Sequence, residues 1–92
     1  MPPRSYVTAI DPPAASSEAH PLSSTRRGQR VRLEAIEGGR RLTMRLISMG
    51  LPPGSEVEVL HNRRGAVVVA REHNRIGIGA GMAARIRVQP LP

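Results

Sequence analysis

Cysteine is absent from the chain. That removes disulfides, zinc-thiolate sites and iron–sulfur clusters together. It also argues against a small secreted protein, because such domains lean on covalent staples. Phenylalanine and tryptophan are absent too, and the one aromatic residue is Tyr6. The core must therefore be aliphatic, and single-stranded nucleic acid has no stacking platform to use. No apolar run approaches the roughly 18 residues that would cross a bilayer. No apolar h-region follows Met1-Pro2-Pro3-Arg4-Ser5, so a signal peptide is not expected. The cytoplasm is the expected compartment.

Arginine, by contrast, is abundant. The 92 residues carry a formal net charge of +7, and every Lys-or-Arg position is arginine. Such a chain attracts polyanions without selecting among nucleic acid, anionic lipid and an acidic protein. Ala, Gly, Pro and Arg are all frequent, which is also what a GC-rich coding sequence yields.

One domain is the ceiling for this length. Residues 1–21 form a leader rich in Pro, Ala and Ser, with Pro2-Pro3, Pro12-Pro13 and Pro21 and no periodic apolar pattern. Such a segment buries too little to offset its ordering entropy, so it is expected to be disordered. The folded domain is expected over residues 22–92.

Within that domain the hydrophobic period changes twice. Val31, Leu33 and Ala35 alternate with Arg30, Arg32 and Glu34, the mark of a half-buried strand. Ile36 breaks the parity, as at a bulge or a strand end. Leu42, Leu46 and Met49 then fall at i, i+4 and i+7, with Ile47 widening the stripe and Arg41 and Arg45 opposite. This predicts a short amphipathic helix, closed by Gly50 and then by Pro52-Pro53. After Gly54 the two-residue period returns in Val57 and Val59. The run Ala66–Ala70 reads as a central or doubly covered strand. Ile76 and Ile78, and then Ile86 and Val88, complete the pattern, with a single helical turn predicted at 81–84.

The expected fold is mainly β: a small, partly open barrel of about five strands, with one short α-helix between the first two. Its expected core is Val31, Leu33, Leu42, Leu46, Met49, Leu51, Val57, Val59, Val67, Val69, Ile78, Ile86 and Val88.

The stretch Arg45-Leu46-Ile47-Ser48-Met49-Gly50-Leu51-Pro52-Pro53-Gly54, running into Ser55-Glu56-Val57-Glu58-Val59, resembles the FeoA family. Members carry a helix ending in Leu-x-Ser-Met/Leu-Gly-Leu, then Pro-Gly and an alternating strand. Gly28-Gln29-Arg30-Val31-Arg32-Leu33 is similar to the family's opening Pro-Gly-Gln strand, with Arg27 where proline is usual. The tail from Arg75 to Val88 looks like its closing strands. The resemblance covers roughly residues 22–91. It implies an SH3-like barrel and a cytosolic accessory role in bacterial ferrous-iron uptake. The implied partner is the GTPase part of the FeoB-type membrane permease, which would hold the protein at the inner membrane. The same barrel occurs as the C-terminal domain of metal-dependent repressors. This sequence shows no helix-turn-helix, so a whole repressor is not expected. A cationic, nucleic-acid-associated or regulator-like domain is the alternative reading.

Catalysis is not expected. Ser48, Ser55 and Thr43 have no histidine–carboxylate pair in sequence range. Gly77-Ile78-Gly79-Ala80-Gly81 lacks the Lys-Ser/Thr of a phosphate loop, so any nucleotide site would belong to the partner. No cofactor is required, and no small-molecule substrate is expected. His61, Glu72 and His73 are the candidate ligands for a weak or adventitious divalent metal, provided their two turns lie together. The candidate docking surface is the outer side of the helix and the segment after it: Arg41, Arg45, Ser48, Leu51, Pro52 and Pro53, apolar surface rimmed by charge. Exposed strand edges leave pairing between copies open.

Overall fold

The computed structural model describes residues 19–92. The order of elements is β1 (His20–Pro21), a 3₁₀ turn (Leu22–Ser24), β2 (Arg30–Ile36), α1 (Gly39–Ser48), β3 (Glu56–Arg63), β4 (Ala66–Arg71), β5 (Asn74–Ile78), α2 (Ala80–Ala83) and β6 (Ile86–Pro90). The strands form one antiparallel sheet in the order β1-β6-β2-β3-β4-β5. β1 and β5 lie at opposite ends of that order, so the expected mainly-β, partly open architecture stands with six strands rather than five. The extra one is β1, a two-residue strand on the edge of β6 with His20 opposite Val88. Order thus starts ahead of the boundary expected at Leu22. The leader up to residue 18 lies outside the described residues.

Alternation places one side of each strand in a single aliphatic core. Val31 faces Val57, Leu33 faces Val88, Val59 faces Val69 and Val67 faces Ile78 across neighbouring strands. All eight are buried, with Ile86, Leu46 and Leu51. Leu42 and Met49, expected in the core, are only partly buried and pack against its margin. Two residues outside the expected core complete it. Leu22, in the 3₁₀ turn, and Ala83, in α2, are both fully buried. The run Ala66–Ala70 is central but covered mainly on one face: Val67 and Val69 are buried, Val68 is half-buried and Ala66 is exposed.

Two bulges reset which side chains point inward. In β2 the register with β6 shifts between Leu33 and Ala35, so Glu34 is the extra residue. Ala35 turns out and Ile36 turns in, which explains the broken parity. In β3 the register with β4 shifts between Val59 and His61, across Leu60. Strict alternation would have aimed His61 at the core. The bulge sends it to solvent and brings Asn62 inward instead. Asn62 Nδ2 donates to the carbonyls of Ser23 and Thr25, and its Oδ1 accepts from Gly65 N–H. One side chain thus ties the 3₁₀ segment to the β3–β4 hairpin.

The helix ends as its sequence predicts. Gly50 adopts φ 91°, its N–H donates to Ile47 O at 3.0 Å, and Leu51 N–H donates to Leu46 O at 2.8 Å. This is a Schellman cap, and the accompanying apolar contact pairs Leu46 with Leu51, both fully buried. No helix among the described residues is long and apolar enough to cross a membrane.

Candidate docking surface

α1 begins without the usual aids. Its N-cap is Gly38, at φ 143°, with no side-chain cap, and its first turn holds no acidic residue. Arg40 and Arg41 occupy that turn instead. Cations there oppose the helix dipole, whose N-terminal end is positive. Arg45 follows Arg41 by one turn, a like-charge spacing that costs a few tenths of a kcal/mol. The ten residues of α1 include no carboxylate. Among the described residues no carboxylate forms an ion pair with Arg41, Arg45 or Arg85.

Two surfaces result. The outer side of α1 leaves Met44 57% and Ile47 43% exposed, the large apolar side chains most open to solvent among the described residues. Arg40, Arg41 and Ser48 lie three or four residues from Met44 and so share its side of the helix. On the flank, a groove of about 300 Å³ runs between α1 and α2. Leu42 and Met82 give it an apolar lining, Gly38 and Gly81 keep it open, and Arg41, Arg45 and Arg85 supply the charge. Gly38 is required there. A Cβ at that position would stand 2.8 Å from Leu42 Cδ2 and 3.4 Å from Arg85 Cδ.

The residues singled out from sequence disperse over this end of the molecule. Arg41 and Arg45 are exposed and line the groove. Ser48 is exposed, its hydroxyl donating to Arg45 O at 2.7 Å. Pro53 is exposed and Pro52 half-buried, with the Pro52 carbonyl accepting from Ser55 N–H and Oγ. Both prolines follow the C-terminus of α1, away from the groove. Leu51 must be withdrawn from the docking set, because the Schellman cap turns its side chain fully into the core. Met44, Met82 and Arg85 were missed. Met44 breaks the apolar stripe, which could have flagged it. Met82 and Arg85 reach the groove only through the tertiary fold.

The expected metal trio is not brought together. His61 sits opposite Val68, toward the β3–β4 turn, whereas Glu72 and His73 form the β4–β5 turn at the other end of β4. Val68 and Glu72 are four strand positions apart, about 13 Å. Among the described residues no three His, Asp or Glu side chains converge on a common point. His61 instead borders a wider trough of about 750 Å³ with Arg27, Arg63, Val68 and Gly77-Ile78-Gly79. Strand positions supply most of that lining, whereas in the groove two helices and three guanidinium groups converge.

These elements define a small SH3-like β-barrel with a cationic helical face. Comparison with known proteins gives the family. Residues 20–90 match the FeoA domain, and the chain belongs to the FeoA family. It is 34% identical over 70 residues to a protein of Methanocaldococcus jannaschii named "Putative Fe(2+) transport protein A", covering 76% of this chain and 85% of that one. Among solved structures, a crystal structure of an iron uptake regulatory protein (FeoA) superposes with a TM-score of 0.73 at 32% identity, over 79% of this chain and 99% of the other. A manganese-dependent transcriptional repressor in complex with manganese gives a TM-score of 0.72 at 25% identity, over 79% of this chain but 37% of the repressor.

Proposed function

We propose that this protein is a non-enzymatic, cytosolic accessory component of ferrous-iron uptake that docks on the GTPase part of a FeoB-type membrane permease. The observation that carries the reading is the α1 face, where Met44 and Ile47 stand exposed beside arginines that have no ion pair among the described residues, on a helix without a carboxylate. Apolar surface rimmed by charge is the character of a protein contact. The name of the M. jannaschii relative supports iron transport as the setting. Pro53 and Ser48 extend the same contact, and peripheral membrane residence follows from the partner.

The test is direct binding between the purified full chain and the purified cytosolic part of the permease. Saturable binding that survives moderate salt is expected. Replacing Ile47 with Asp should weaken it about tenfold or more, as loss of a contact anchor does. Unchanged binding by that variant would remove α1 from the contact.

The likeness to the manganese-dependent repressor favours a second reading, a regulator-like domain on nucleic acid. That reading predicts a duplex-DNA complex whose affinity falls steeply with salt. The repressor match spans little more than a third of that protein, whereas the FeoA match spans nearly all of its counterpart.

A further inference from the structure

We propose that the groove between α1 and α2 receives an acidic peptide segment of the protein partner, seating one aliphatic side chain on Leu42 and Met82 and clamping flanking carboxylates with Arg41, Arg45 and Arg85. The proposal deepens the docking reading by naming the partner's chemistry.

Five observations converge on it. The groove's size, about 300 Å³, is at the bottom of the range of small-molecule pockets and suits one or two side chains better than a cofactor. Its lining combines apolar Leu42 and Met82 with three arginines, and no described carboxylate lines it. The three guanidinium groups come from two separate parts of the chain, α1 and the residues after α2, so the fold assembles them. No ion pair with a described residue discharges them. The first turn of α1 adds its own positive end, uncapped and flanked by Arg40 and Arg41.

The occupant's chemistry follows from complementarity. Guanidinium groups pair with carboxylates in two-pronged geometry, and an incoming anion relieves the like-charge repulsion between Arg41 and Arg45. A bare anion would leave Leu42 and Met82 uncovered, and an uncharged apolar segment would leave three cations unpaired. A segment that alternates acidic and aliphatic residues satisfies both. The outer face of α1, with Met44 and Ile47, stays free for a broader contact beside it.

The experiment follows backbone amide signals of the isotope-labelled full chain in about 100 mM salt. The probes are a five-residue peptide of glutamate and leucine blocked at both ends, the same peptide with glutamine for glutamate, and inorganic phosphate. The acidic peptide should shift Gly38, Arg41, Leu42, Gly81, Met82 and Arg85 in a saturable way, and the glutamine peptide should not. The double variant Arg41→Glu/Arg85→Glu should bind at least about tenfold more weakly. The pair Arg30→Glu/Arg75→Glu, an equal charge change at exposed positions on β2 and β5 outside the groove lining, should stay within about threefold. Arg41→Gln/Arg85→Gln serves if the glutamates disturb folding.

The groove is wrong if phosphate alone reproduces the shifts, if both charge reversals weaken binding equally, or if the shifts map to Met44 and Ile47 instead. Binding to the permease's cytosolic part separates the two readings. Full-strength permease binding by the Arg41/Arg85 variant sinks the groove and leaves docking standing. Peptide binding in the groove without any permease binding sinks docking and leaves the groove standing.

Discussion

The turns that bound the helix and the turns that join the hairpins solve the same backbone problem differently. Around the helix, each turn that needs a positive φ has glycine: Gly38 before α1, Gly50 after it and Gly54 leading toward β3. In the hairpins, Arg64 holds φ 55° in the β3–β4 turn and Glu72 holds φ 56° in the β4–β5 turn. An L-residue there costs about 1–2 kcal/mol. The hairpins tolerate this because flanking strand pairing over-determines them, and because Asn62 closes the first turn onto Gly65 N–H. The helix boundaries are relaxed in backbone, and α1 holds no carboxylate of its own to offset its arginines. The hairpins are strained in backbone, with Asn62 knitted to its neighbours by hydrogen bonds.

That contrast can be broken most severely at the base of the helix. Leu46→Ala empties a fully buried position and removes the apolar half of the Schellman contact. It should cost about 2–5 kcal/mol in chemical denaturation. Asn62→Ala leaves two carbonyls and one N–H without their partner and should cost about 1–3 kcal/mol. Hydrogen exchange should speed most at Gly65, whose N–H loses its acceptor. If exchange there is unchanged, Asn62 is not the tie.

The smaller effects sharpen the contrast. Gly50→Ala places a Cβ at φ 91° and should cost about 1–2 kcal/mol. Arg64→Gly should do the reverse. It relieves the left-handed strain but loosens the unfolded chain, for a net gain of about 0.5 kcal/mol. If it destabilises, the Arg64 side chain contributes more than its backbone costs. Met44→Ser should change stability by less than about 0.5 kcal/mol, because the side chain is mostly exposed. Its effect should appear in permease binding, and equal affinity for the two forms would show that Met44 is outside the contact.

Much of the fold was readable in advance. The helix was bounded by Gly50 and Pro52-Pro53, and eleven of the thirteen expected core residues are buried. The site was less readable. Arg41 and Arg45 were found because charge opposite an apolar stripe is a local pattern. Met82 and Arg85 were not, since nothing in their surroundings says that α2 lies beside α1. The metal trio failed on a question of register: His61 and Glu72 are eleven positions apart in sequence, but the strand between them runs the length of the sheet.

By itself the sequence determined an aliphatic, cysteine-free barrel with one capped helix and an excess of arginine, because periodicity, glycine caps and charge act over a few residues. The tertiary structure alone decided the parity flip at Leu60, the inward turn of Asn62, the joining of Leu22 and Ala83 to the core, and the meeting of Arg85 with Arg41 and Arg45. Each depends on which distant strand or helix supplies the neighbouring surface, and pairing between distant segments is settled only when the whole sheet closes over its core.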